Sequence, residues 1–228
     1  MITSSIFENM HIKFGPLNLT GNIFLTWILM ALLFLVFYVS GRNLKQTPGV
    51  IQVILEGIVV AFERAIGEVI PGKVDLVFSF VATLWIFVLT ANLFGLIPGM
   101  SSPTADLSVT LSLATIVFLS VHWFGIREQG LSNYLKHYLR PSPVLLPFHI
   151  ISEFSRTLAL AIRLFGNVMS LEIAAILVVM VAGIIVPIPL LMLHIVEALI
   201  QAYLFGMLAL IYIAGGLASQ EMKIEKEN

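Results

Sequence analysis

The sequence predicts an all-α integral membrane protein with five transmembrane helices and one interfacial amphipathic helix. Three observations carry that prediction. Hydrophobic residues make up 59% of the 228-residue chain and charged residues 11%, against about 25% charged in a soluble domain. That leaves too little polar surface to coat a water-exposed globule. Several uncharged stretches reach about 20 residues, the length a helix needs to cross a hydrocarbon core roughly 30 Å thick. Most charges gather in the segments between those stretches. A formal net charge of −1 provides no basic excess for nucleic acid. The absence of cysteine excludes disulfides, cysteine nucleophiles and thiolate metal sites.

The elements follow in order within a single membrane domain, residues 1–228. Residues 1–21 form an N-terminus outside the membrane. Residues 22–40, Asn22 to Ser40, carry no charge and form the first span. Residues 50–69 differ: Gln52, Glu56, Glu63 and Gly67 share one stripe at helical spacing, while Val53, Ile54, Ile58, Phe62, Ala65 and Ile66 occupy the rest of the wheel. That pattern suits a helix lying in the membrane interface, bracketed by Pro48 and Pro71-Gly72. Residues 75–99 and 106–125 form a middle hairpin of two spans, built on the charge-free runs Leu76–Gly99 and Leu107–Phe124. Residues 126–145 are a polar loop. Residues 146–182 and 188–218 form a second hairpin, broken near Gly183-Ile-Ile-Val-Pro187-Ile-Pro189. Read from Leu146 to Val181 and from Pro189 to Ala218, its arms are about 54 Å and 45 Å long at about 1.5 Å rise per residue. Both exceed the hydrocarbon thickness, so strong tilt is expected. Residues 219–228 are a polar tail. No internal repeat is visible.

Lysine and arginine placement orients the chain. Arg42, Lys45, Arg64, Lys73, Arg127, Lys136, Arg140, Lys223 and Lys226 fall on one side if the N-terminus is outside, and the opposite side holds only Lys13. The expected orientation is therefore N-terminus outside and C-terminus cytoplasmic. Positive charge follows the first apolar run, so no cleaved signal peptide is expected. The lack of a transit peptide favours a bacterial plasma membrane over an organelle inner membrane.

Four charges lie where a bilayer disfavours them: Arg156, Arg163, Glu172 and Glu197, with His194 and Gln201 adding polarity. An arginine at the bilayer centre costs from about 2.5–3.5 up to about 10–17 kcal/mol. Arg163 cannot escape by losing its proton, so it needs an anionic partner or an aqueous cleft. At about 100° per residue, Arg156, Arg163 and Asn167 lie within about 40° of one another, and Glu172 points about 180° from Arg163. His194, Glu197 and Gln201 share a face of the last helix at i, i+3, i+7 spacing. A carboxyl from one helix with an imidazole and a carboxyl from its neighbour makes a candidate proton relay. Simpler readings stand beside this one. The 180° separation disfavours an Arg163–Glu172 bridge within one helix, but an Arg163–Glu197 bridge between helices stays open. His194 is also read as a packing residue, Arg156 as a snorkelling cation, and Asn92 as a bond across helices. Glu56 and Glu63 are read as solvated, and Trp27 and Trp123 as interface anchors. No phosphate-binding glycine loop, second His-Glu pair or serine nucleophile pattern is visible. No catalytic site, cofactor or metal is therefore expected.

The stretch Ser155-Arg-Thr-Leu-Ala-Leu-Ala-Ile-Arg163-Leu-Phe-Gly-Asn167 closely resembles the signature of subunit a of the F-type ATP synthase. Ala198-Leu-Ile-Gln201-Ala-Tyr-Leu-Phe205, preceded by His194, resembles that family's last helix. Asn92-Leu-Phe-Gly-Leu-Ile-Pro98-Gly and Pro103-Thr104-Ala105-Asp106 resemble its middle hairpin. The resemblance implies a proton-translocating stator subunit, itself non-catalytic, beside a rotating c-ring. Two offset half-channels and a fixed arginine would couple ion flow to ring rotation. It implies Arg163 as the arginine facing the ring carboxylates. It implies Glu172, His194, Gln201 and Asn92 near the outer half-channel, and Glu153 with Ser152 near the cytoplasmic one. Members often carry two adjacent glutamates at 152–153, and here only Glu153 is acidic. Implied partners are the c-ring, the peripheral-stalk subunit b, the lipid bilayer and protons. The alternative class is an ion-coupled secondary transporter, which usually shows repeats and more spans. A structural subunit with a buried salt bridge is a second alternative.

Overall fold

The computed structural model describes residues 12–14, 17–19, 21–42, 49–97, 101–132, 134, 146–182 and 187–218. It begins with a two-stranded antiparallel ribbon, β1 (Ile12–Phe14) and β2 (Leu17–Leu19), with Lys13 opposite Asn18. The ribbon is an addition to the all-helical expectation: Ile-Lys-Phe and Leu-Asn-Leu alternate with strand period, but three residues are too few to stand out in a sequence. Helices α1 (Gly21–Arg42), α2 (Val50–Val69), α3 (Val74–Phe94), α4 (Leu107–Gln129), α5 (Leu146–Ala182) and α6 (Pro187–Ala218) follow, with a single 3₁₀ turn at Pro103–Ala105. Among the described residues, five helices are long and apolar enough to cross a membrane, and α2 is not one of them. Lys45, Pro48, Lys136, Arg140, Lys223, Lys226 and the 183–186 break lie outside the described residues.

Local chemistry sets the helix ends. α3 stops at Phe94, five residues short of the expected end at 99. The backbone tightens there into three-residue turns, with Leu96 N donating to Leu93 O (3.0 Å) and Ile97 N to Phe94 O (3.2 Å). Pro98 in the sequence disfavours helical geometry at Ile97. α4 begins where Asp106 caps it, accepting from Ser108 N (2.9 Å) and Ser108 Oγ (2.6 Å). It runs four residues past the expected 125 and ends at Gly130, whose φ of +76° suits glycine. α5 and α6 have 37 and 32 residues, about 55 Å and 48 Å of helix.

α6 is the centre of the bundle and packs against α3, α4 and α5. Its small residues Ala198, Ala202, Gly206 and Ala209 form a buried stripe at helical spacing, which lets neighbouring backbones approach closely. Leu84 and Val88 of α3, Leu113 and Val117 of α4, and Leu160 and Leu164 of α5 close around Ala202, Phe205 and Ala209. A second cluster joins Ile66 of α2 and Val77, Val81 and Trp85 of α3 to Leu210, Ile213 and Leu217. The two arms of the expected middle hairpin meet mainly through α6. α6 packs on both arms, and their backbones do not pack closely along their lengths. They still touch through the Phe80–Phe124 ring contact (5.9 Å) and the Lys73–Glu128 ion pair (3.0 Å).

The periphery is apolar and uncovered. α1 buries Leu25, Thr26 and Leu29 and exposes most of its other side chains. α2 buries only Ile66, leaves Val53, Ile54 and Ile58 exposed, and bonds Gln52 Nε2 to Glu56 Oε1 (2.8 Å) along its polar stripe. Trp27 and Trp123 are 58% and 66% exposed, as interface anchors require.

The tightest joint is at Gly206. The Trp85 indole lies on the α6 backbone there, donating from Nε1 to Tyr203 O (3.2 Å), and a Cβ on residue 206 would overlap the indole ring. Gly206→Ala should destabilise the protein by about 1–3 kcal/mol through overpacking. Gly206→Ala with Trp85→Phe should recover part of that loss, because the smaller ring leaves space for the methyl. Thermal unfolding in detergent of the two single variants and the double variant checks this. Additive losses would show that the two positions are not in steric contact.

Candidate functional site

The inward stripe of α5 is Leu160, Ala161, Leu164 and Val168, all buried. Arg163 falls outside that stripe and is exposed among the uncovered side chains of Ile162, Leu158 and Met169. Glu172 points the other way and is half-buried. Among the described residues, no ion pair joins Arg163 to Glu172 or to Glu197. Both salt-bridge alternatives therefore lack a partner contact, and the guanidinium is exposed on the outer side of α5, on the face of Arg156 and Ser170 and beside an apolar flank.

Glu172 meets the loop between α3 and α4. Its Oε1 accepts from Ser102 N at 2.8 Å. Gly95 allows this approach: a Cβ there would meet Ser102 Cβ at 3.0 Å and Glu172 Oε1 at 3.2 Å. Ser102 Oγ donates to Ala91 O (2.8 Å) and lies 2.7 Å from Thr104 Oγ1, which bonds Asn92 Oδ1 at 2.6 Å. Asn92 is fully buried, and its Nδ2 has no partner among the described residues. Both N–H donors of that amide are left for a non-protein acceptor such as water.

The second polar group joins α5 to α6. Asn167 Nδ2, one turn beyond Arg163, donates to Gln201 Oε1 at 2.7 Å. Gln201 is 2% and His194 5% exposed, and Glu197 is half-buried. The i, i+3, i+7 face of α6 is therefore turned into the protein.

The third group lies ten residues before Arg163. Glu153 faces His122 of α4, with Oε2 3.8 Å from Nε2. Arg156 contacts Ser152 Oγ at 3.5 Å and places its guanidinium over the Tyr212 ring of α6, 5.6 Å from the centroid. A cleft of about 300 Å³ opens beside Glu153 and His122, and a smaller cavity of about 30 Å³ is lined by Glu153, Arg156 and Tyr212.

Polar groups thus occupy three levels of α5. Glu153 is about 15 Å below Arg163, and Glu172 about 14 Å above it on the opposite face. The two carboxylates lie on either side of a permanent cation, offset around the helix, and both cavities described above border Glu153. Sequence reasoning missed Ser102 and Thr104 as members of the Glu172 group and passed over His122. The first two could have been found as hydroxyls in a proline turn between spans, and the third as an ionisable side chain ahead of the anchor Trp123.

Residues 23–214 match the protein-family profile described as ATP synthase A chain. Curated relatives named ATP synthase subunit a align over most of both chains. The Legionella pneumophila (strain Paris) protein is 57% identical over 215 residues, 94% of each chain. A Pelobacter propionicus relative, subunit a 2, is 60% identical over 209 residues, 92% of each chain. A Bradyrhizobium relative, also subunit a 2, is 41% identical over 219 residues, 96% of this chain and 98% of its own.

The Asn167–Gln201 bond gives a direct prediction. Gln201→Leu should leave the Asn167 amide without its acceptor and destabilise the α5–α6 pair, and Asn167→Leu should do the same. The double variant should show a coupling of about 0.6–1.7 kcal/mol. Thermal denaturation of the four proteins measures it, and zero coupling would mean the two amides do not interact.

Proposed function

The chain belongs to the ATP synthase A chain family, a non-catalytic membrane subunit, and from that membership we propose that it is the proton-translocating stator of a rotary ATP synthase. In this reading it holds two offset half-channels and one fixed cation against a ring of carboxylates. The observation that carries the reading is Arg163: an arginine with no ion-pair partner among the described residues, exposed on the outer side of a membrane-spanning helix. A cation in that position is stabilised by an anion from another subunit or by water beside it.

The mechanism follows from the charges. A proton arrives from outside along the Asn92, Glu172, His194, Glu197 and Gln201 side and neutralises a ring carboxylate. Uncharged, that carboxyl can face lipid at tolerable cost. The ring turns, and after nearly a full revolution the carboxyl releases its proton on the cytoplasmic side near Glu153. The ionised group then meets Arg163. Two unit charges about 4 Å apart attract by roughly 4 kcal/mol at an effective dielectric near 20. That favours the ionised form and still permits release when the next carboxylate arrives. The same fixed cation repels protons that would pass straight between the half-channels. Each charge gains about 2.3 kcal/mol per 100 mV, so several are needed for one ATP.

The partners are the c-ring on the Arg163 face, subunit b of the peripheral stalk and the surrounding lipid. The proposed orientation has the N-terminus outside and the C-terminus cytoplasmic in a bacterial plasma membrane, which puts Glu153 on the cytoplasmic side and Glu172 on the outer side.

In inverted membrane vesicles carrying the whole complex, Arg163→Ala should abolish ATP-driven acidification while the complex stays assembled. After removal of the soluble catalytic part, passive proton leak should rise in the same vesicles. Pumping at near wild-type rate would make the arginine structural and end the proposal.

A further inference from the structure

We propose that His122 is a proton-transfer residue on the path at Glu153, the two side chains forming a site that shares one proton. The inference rests on the stator reading and adds to it a residue that neither the motifs nor the comparisons assign. It begins with a tautomer. His122 Nδ1 lies 2.9 Å from the carbonyl oxygen of Phe118, four residues earlier in α4. A carbonyl only accepts, so Nδ1 carries the hydrogen. In the neutral ring the lone pair is therefore on Nε2, which faces Glu153 Oε2 at 3.8 Å. Two acceptors opposed across that distance are stabilised when one proton lies between them, on either side.

The gap is too long for a direct hydrogen bond but can be bridged by water. The cleft of about 300 Å³ reaches both His122 and Glu153 between walls of Phe118, Ile150 and Phe154, and a water occupies about 30 Å³ of liquid. On its other side Glu153 borders the cavity of about 30 Å³ that continues along α5 to Leu160, three residues short of Arg163. Glu153 thus stands between a wide opening and a narrow one, with His122 on the wide side.

The neighbouring charges fit this order. Arg156, one turn along α5, lines the narrow cavity beside Glu153. Tyr212 of α6 holds that guanidinium against its ring. Tyr134 faces the imidazole edge-on with ring centroids 6.0 Å apart, and His149 precedes Glu153 by one turn on α5. The step is a proton relay with no net change in the protein. A proton leaving the ring carboxyl passes by way of Glu153 to Nε2, giving an imidazolium that keeps its Nδ1–H bond to Phe118 O. Nε2 then hands a proton to water in the cleft.

The test is passive proton conductance of inverted vesicles stripped of the catalytic part, driven by a potassium diffusion potential and read against the pH of the exposed face. His122→Ala should lower conductance by roughly tenfold or more and flatten its dependence on the pH of the exposed face. Imidazole added to the bath should restore it by occupying the emptied cleft. His122→Phe, which fills that space, should lose conductance without rescue. Three results overturn the inference: wild-type conductance and pH profile in assembled His122→Ala, a loss that imidazole does not reverse, or, if that variant fails to assemble, an unchanged profile in His122→Gln. Arg163→Ala in parallel vesicles separates the two readings. If it retains ATP-driven pumping, the stator function fails whatever His122 does.

Discussion

A guanidinium that cannot be neutralised has to be kept in an apolar layer, and the rest of this structure is arranged around that requirement. Burying Arg163 against Glu172 or Glu197 would satisfy the charge but spend it internally. α5 instead turns Leu160, Leu164 and Val168 inward, which leaves Arg163 outside. The same rotation sends Glu172 in the opposite direction, where a backbone N–H from Ser102 holds it. One helix therefore separates a permanent positive charge from a titratable negative one by geometry alone, and each can act on a different neighbour.

Holding α5 in that rotation is the work of α6. Its Ala198, Ala202, Gly206 and Ala209 stripe is low in relief, so α3, α4 and α5 all reach its backbone. The Trp85 indole over Gly206 and the Asn167–Gln201 bond pin the register on two sides. A shift of one residue in either helix would rotate its groups by about 100° and break the alignment of Arg163 with the outer face. Small side chains at the centre, which bring little apolar area, thus set the position of the charge at the rim.

Much of this architecture was legible in the chain. The uncharged runs marked the five helices long and apolar enough to cross a membrane, and the stripe of Gln52, Glu56 and Glu63 set α2 apart from them. The opposition of Arg163 and Glu172 follows from nine residues of helix. Other features were hidden for physical reasons. Lipid-facing and protein-facing apolar residues look alike in composition, so the position of α6 between α3 and α4 has no hydropathy signature. The early end of α3 depends on turn chemistry at Gly95 and Pro98 inside an otherwise apolar run. The clamp on Glu172 is a backbone donor, which no residue type announces. Pairing Asn167 with Gln201, or Glu153 with His122, needs the register between helices, and spacing within one helix does not contain it.

The outer face of α5 has one further consequence in the proposed role. On the flank beside Arg163 it is built from Leu158, Ile162, Met169 and Ile173, side chains about as apolar as a lipid tail. Exchanging lipid for another apolar surface there releases little hydrophobic free energy. No deep well then locks a moving partner at each angular step, and the surface behaves as a bearing, with a single electrostatic detent at Arg163. A face rich in hydrogen-bonding groups would grip more firmly and turn less freely.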